Sequence, residues 1–151
     1  MAVRIAWFFA GLLASLALAS GFDLSVGVRA EPELRFLSGL GVALEAAPWT
    51  LRGGLRFGAP SGILAEGEVD FALPVPVVRP YLGVGAAAGL TARQGDGRFE
   101  VALGRVGYAL FTLGASLPAR GYRPYLEATY YLGNPGFARY SAGFVLEVPG
   151  W

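Results

Sequence analysis

The sequence predicts an all-β protein: an eight-stranded antiparallel up-and-down transmembrane β-barrel behind an N-terminal signal peptide. Three observations carry that prediction. Charged residues are 15% of the chain, well under the ~25% of an ordinary soluble domain, while hydrophobic residues reach 54% and Gly is 23 of 151. Mean hydropathy is +0.50, yet no run of ~20 apolar residues follows the first twenty to make a membrane helix. From Phe22 onward, apolar and polar residues alternate with a period of two, punctuated by Pro and Gly.

Residues 1–19 read as a secretory signal peptide and residues 20–151 as the barrel. Arg4 precedes an uncharged apolar stretch, Ile5 to Ala19, that ends on the small-x-small site Ala17-Leu18-Ala19. An anchor helix is the alternative, but fifteen residues span only about 22 Å, short of the ~30 Å hydrocarbon core.

Segment one, Phe22 to Ala30, places Phe22, Leu24, Val26 and Val28 opposite Asp23, Ser25, Gly27 and Arg29. Segment two, Leu34 to Ala46, sets Phe36, Leu40, Val42 and Leu44 against Arg35, Gly39, Gly41 and Glu45. In segment three, Thr50 to Ala59, Leu51, Leu55 and Phe57 oppose Arg52 and Arg56. In segment four, Ile63 to Leu73, Ile63, Val69 and Phe71 oppose Glu66, Glu68 and Asp70. Segment five, Val78 to Arg93, opposes Leu82, Val84 and Leu90 to Arg79, Tyr81 and Gly83.

Segment six runs from Arg98 to Leu117 and changes phase at Arg105, which predicts a bulge at Gly104. Segment seven, Arg123 to Leu132, opposes Leu126, Tyr130 and Leu132 to Arg123, Tyr125, Glu127 and Thr129. Segment eight, Ala138 to Val148, opposes Tyr140, Phe144, Leu146 and Val148 to Arg139, Ser141, Gly143 and Glu147. Every link between segments is rich in the Pro, Gly, Asn, Asp or Ser of tight turns.

Alternation alone leaves open which face points outward. A lipocalin-like barrel turns its apolar face inward; a membrane barrel turns it to lipid. The polar face holds few charges, padded with Gly, Ala and Ser, which is thin cover for a soluble exterior. It suits the lining of an eight-stranded lumen, just wide enough for side chains. Arg52, Arg56, Glu66, Glu68, Asp70, Arg79, Arg123 and Glu147 are the candidates for ion pairs closing that lumen. A turn centred on Ser61 places Arg56 across from Glu66 and Arg52 across from Asp70, and a turn centred on Pro135 places Arg123 across from Glu147. A turn centred on Pro32 sets Arg29 against Arg35, a repulsion with no evident partner unless neighbouring strands supply acids. With an even strand number both termini share the periplasmic end, where Trp49 and Trp151 then lie.

Arg79-Pro80-Tyr81-Leu82-Gly83-Val84-Gly85 and Arg123-Pro124-Tyr125-Leu126 resemble the R-P-Y-x-G-x-G strand openings of small Gram-negative outer-membrane barrels, the eight-stranded OmpA/OmpX-like family. The second copy departs from the pattern, with Glu127 and Thr129 in place of the glycines. The ending Ser141 to Val148 is similar to the last-strand signal read by the barrel assembly machinery, with Ser141, Gly143, Leu146 and Val148 at its key positions; Pro149-Gly150 separate it from the terminal aromatic Trp151. The resemblance implies a cleaved, exported chain in the outer membrane, in contact with lipid and, during biogenesis, with the assembly machinery.

Composition narrows the function. With no Cys and no His, thiol nucleophiles, imidazole bases and the usual zinc, haem and iron–sulfur ligands are excluded. Outer-membrane lipid-modifying enzymes and proteases work through histidine, so no enzyme and no cofactor is expected. The row Glu66, Glu68 and Asp70 reads as ion pairing with Arg52 and Arg56 rather than as acid–base or calcium chemistry. A formal charge of +1 without a single Lys offers no nucleic-acid surface. The expected role is structural or surface-interacting, with no protein partner named by the sequence. The alternatives are a narrow ion leak or ligand conduit, and a soluble periplasmic lipocalin-like barrel holding a hydrophobic ligand. Segments five and six exceed the ~9–11 residues needed to cross a bilayer, so their hairpin is expected to rise above the membrane around Gln94-Gly95-Asp96-Gly97.

Overall fold

A computed structural model describes residues 21–30, 33–59, 62–95 and 98–148. The signal-peptide assignment and Trp151 lie outside the described residues. Eight strands follow in order: β1 Gly21–Arg29, β2 Arg35–Ala46, β3 Trp49–Ala59, β4 Gly62–Ala72, β5 Arg79–Gly95, β6 Arg98–Ser116, β7 Tyr122–Leu132 and β8 Phe137–Glu147. Each pairs antiparallel with its sequence neighbours, and β1 pairs with β8 to close the barrel. Closure leaves no edge along the wall, so each strand's backbone pairs on both sides without recourse to water. Strand bounds agree with the alternating segments to within about two residues, because Pro and Gly end the pattern where they end the ladder.

Alternation decides the faces, and the apolar face is outside. Phe36 is 85% exposed, and Val26 and Leu126 are each 66% exposed. This is the reverse of the lipocalin-like arrangement. Aromatic rings gather at both ends of the outer wall. At the end carrying the termini, Tyr122 and Phe22 both flank Leu146, and Trp49 packs on its ladder partner Phe71 with ring centroids 4.8 Å apart. At the opposite end, Phe36 and Tyr140 both flank Val28, and Tyr130 faces Phe111. Such paired girdles suit rings that sit at membrane–water interfaces.

Two irregularities correct the expected registers. In the β3–β4 hairpin, Arg52 lies across from Glu68, Gly54 from Glu66 and Arg56 from Leu64. Gly58, at φ +90°, forms a bulge between Phe57 and Ala59 that draws β3 along its partner; glycine meets this left-handed geometry at little cost. In β5–β6, Gly89 alone opposes Gly104 to Val106. The irregularity at Gly104 is therefore present, but its two surplus residues preserve the parity instead of reversing it. Leu103, Phe111 and Leu113 all stay outward, and Arg105 is exposed rather than on the lumen face.

The β5–β6 hairpin outgrows its neighbours. The β4 ladder with β5 ends at Ile63–Leu90, and the β7 ladder with β6 ends at Ala109–Leu132. The strands beyond, to Gly95 and from Arg98, pair only with each other.

Candidate functional site

The lumen is the site. Inward positions of β1, β3, β4, β7 and β8 fill it with Asp23, Arg29, Arg52, Arg56, Glu66, Glu68, Asp70, Glu127 and Arg139, and β5 and β6 add Tyr81, Thr112 and Ser116. Buried charges persist only when paired and hydrogen-bonded, and most of these are.

Arg52 is the hub. Its Nε donates to Asp70 Oδ2 at 2.6 Å, its Nη1 meets Glu127 Oε2 at 2.8 Å, and its Nη2 meets Glu68 Oε2 at 3.3 Å. Asp23 is 3.8 Å away. The guanidinium lies between the rings of Tyr81 and Tyr125, 5.4 and 5.3 Å from their centroids, an arrangement that adds cation–π attraction. These are the tyrosines of the two R-P-Y motifs. Tyr81 donates to Glu127 at 2.9 Å, and Tyr125 donates to Asp23.

A second cluster sits beside it. Arg56 Nε donates to Glu66, and Arg56 Nη1 to Ser25 Oγ at 2.7 Å. Arg139 bridges the two clusters: Nη2 meets Glu127 Oε1 at 2.6 Å, and Nη1 lies 3.4 Å from Glu66 Oε1. Tyr131 donates to Glu66 Oε2 at 2.8 Å and accepts from Arg139 at 2.5 Å. Glycines make the room. A Cβ on Gly143 would lie 2.5 Å from Tyr125 Cζ, one on Gly114 would overlap the Tyr81 ring, and one on Gly39 would overlap the Arg56 guanidinium.

Apolar layers close both ends of this polar core. Toward the β1–β2 turn, Tyr131 stacks on Phe137 at 4.2 Å and Tyr108 meets both edge-on, with Leu37, Leu64 and Leu110 around them. Toward the termini, Ala43, Tyr81, Tyr125 and Val145 pack together. The cavity left at that end, between Arg52, Asp70, Tyr81 and Arg123, measures about 30 Å³, room for roughly one water.

Of the eight residues expected in the lumen, the barrel brings five together: Arg52, Arg56, Glu66, Glu68 and Asp70. The other three lie at its lower rim. Arg79 is exposed with no carboxylate within 4 Å among the described residues. Arg123 pairs with Glu45 on β2, not with Glu147, because the β7–β8 ladder places it across from Val145; Glu147 is exposed and faces Gly21 of β1. Arg56–Glu66 and Arg52–Asp70 form as diagonal contacts, within reach of long side chains, rather than directly across the ladder. The candidate set omitted Asp23, Glu127, Arg139 and the tyrosines. Their parity marked them as inward, but their partners lie across the barrel on non-adjacent strands. In the last strand, Ser141 donates to Glu127 at 3.2 Å, Gly143 lies under Tyr125, Leu146 is exposed, and Val148 follows the end of β8.

No protein-family model matches the sequence, and no curated protein matches it. A solved structure does. The N-terminal β-barrel domain of Pseudomonas aeruginosa OprF superposes with a TM-score of 0.61 at 11% identity, over 86% of this chain and 98% of that one. At that identity the likeness establishes the fold: a closed eight-stranded barrel of the same kind.

Proposed function

We propose that this chain is a small outer-membrane β-barrel with a structural or surface-interaction role, exported through a cleaved signal peptide, and that it has no catalytic activity. The observation that carries the reading is the division of the wall: apolar side chains and aromatic girdles outside, and a charge-paired lumen capped by apolar layers inside. Lipid is the solvent such an exterior fits. The last-strand pattern at Ser141, Gly143, Leu146 and Val148 supports handling by the barrel assembly machinery, and the β5–β6 hairpin supplies the part that reaches beyond the bilayer.

A lumen filled by Arg52, Arg56, Arg139 and their carboxylates leaves no continuous aqueous path for solutes. In planar bilayers the refolded protein is expected to give no porin-like current steps, and liposomes containing it are expected not to swell in small sugars. Steady sugar-permeable conductance would replace the structural role with that of a channel.

A further inference from the structure

We propose that Arg29 and Arg139, with Arg35 at the mouth, form a binding site for a phosphate-class oxyanion. Arg29 ends β1 and Arg35 opens β2, and the two lie directly across the ladder. On its other side Arg29 lies directly across from Arg139 of β8. Three arginines thus stand in one row across three strands, where like charges repel. The neighbouring strands place no acid in that row.

Arg29 is 3% exposed, and among the described residues no carboxylate lies within 4 Å of it. Its Nε and Nη1 are buried without a hydrogen-bond partner, and so is Nε of Arg139. No nitrogen of Arg52 or Arg56 is left in that state. Arg139 pairs through Nη1 and Nη2 with Glu66 and Glu127, carboxylates it shares with Arg56 and Arg52, so only its Nε is left over, whereas Arg29 has no carboxylate to share among the described residues. A buried guanidinium left unpaired is strongly unfavourable, and its planar fork of N–H donors matches a tetrahedral oxyanion. Arg35, exposed and held by Glu33 at 3.0 Å, is the solvent-facing member of the row and the one an incoming anion meets first.

The oxyanion is either free phosphate or the phosphate of a lipid headgroup, and one assay separates them. The protein is refolded in an uncharged maltoside micelle, and its heat-modification midpoint is read by gel mobility in chloride, so that a failure to fold is seen before any binding is scored. Inorganic phosphate is then added at matched ionic strength, or the micelle is doped with phosphatidic acid instead. Saturating ligand is expected to raise the midpoint by about 5 °C. A shift with phosphatidic acid alone assigns a lipid source; a shift with inorganic phosphate assigns the free ion. Arg29→Met is expected to abolish the shift while folding at least as well as the parent in chloride. Arg29→Lys keeps the charge without the fork and is expected to need roughly tenfold more ligand. No shift with either probe, or an undiminished shift in both variants, overturns the proposal.

Discussion

Replacing Arg52 with Met is expected to lower the heat-modification midpoint by on the order of 10 °C. The substitution keeps most of the side-chain volume and removes the guanidinium that Asp70, Glu127 and Glu68 meet at 2.6, 2.8 and 3.3 Å. Stranding buried charge by deleting one partner costs about 3–5 kcal/mol, and each kcal/mol moves the midpoint of a domain this size by about 2–4 °C. Because the loss comes from carboxylates left without a counter-charge, adding Glu68→Gln to Arg52→Met is expected to recover part of it. Glu68 is the suitable second site, since among the described residues its one carboxylate–guanidinium contact is to Arg52. An Arg52→Met protein as heat-resistant as the parent would remove the ion-pair hub from the account.

The second large effect is steric. Gly143→Ala is expected to destabilise the barrel by about 1–3 kcal/mol, the range for overfilling a packed interior. The added Cβ would lie 2.5 Å from both Cζ and the hydroxyl of Tyr125 and 2.6 Å from the Leu24 carbonyl oxygen. Tyr125 has little freedom to retreat, since its ring lies against Arg52 and its hydroxyl is bonded to Asp23. Gly67→Ala is the matched control: its Cβ meets nothing within 4 Å, and a change within about 0.5 kcal/mol is expected. Denaturant titration in micelles measures both. In a Tyr125→Ala background the Gly143→Ala penalty should shrink, the non-additivity that marks a direct contact. Equal costs at Gly143 and Gly67 would mean that the glycine serves something other than room for the ring.

Much of the fold is legible in the sequence because a barrel is written in local terms. Period-two alternation fixes which side chains share a face, and Pro and Gly fix where each strand stops, so the residues alone mark out eight strands with nearly these bounds. Register is less legible. The hairpin closes on Ala59–Gly62, one step off a turn centred on Ser61, and the bulge at Gly58 adds a second step; together they move Arg52 from Asp70 to Glu68 across the ladder, and no alternation pattern records the bulge, since Gly58 carries no side chain to break the pattern. At Gly104 the polar Arg105 suggests a change of phase, but that stretch of β6 has no β7 beside it, so an arginine can stay on the outer parity. The site is half legible for a different reason. Hairpin neighbours are adjacent in sequence, and that adjacency is what reveals Arg52, Arg56, Glu66, Glu68 and Asp70. Glu127 and Arg139 join them only across the barrel, a distance set by strand number and shear; in the plug, Tyr131 and Phe137 fall at strand ends where alternation is weakest, and Tyr108 follows the irregularity of β6 opposite Gly89.

The central claim is that the apolar face of a closed barrel is turned to lipid, and refolding with and without amphiphile tests it most directly. Residues 20–151 are diluted from urea into micelles and, in parallel, into buffer alone, then run on gels boiled and unboiled beside far-UV spectra. The account predicts a β-rich band in micelles whose mobility changes on boiling, and aggregation in buffer. A β-rich monomer that stays soluble without detergent would contradict it, since a wall exposing Phe36, Val26 and Leu126 cannot remain dispersed in water.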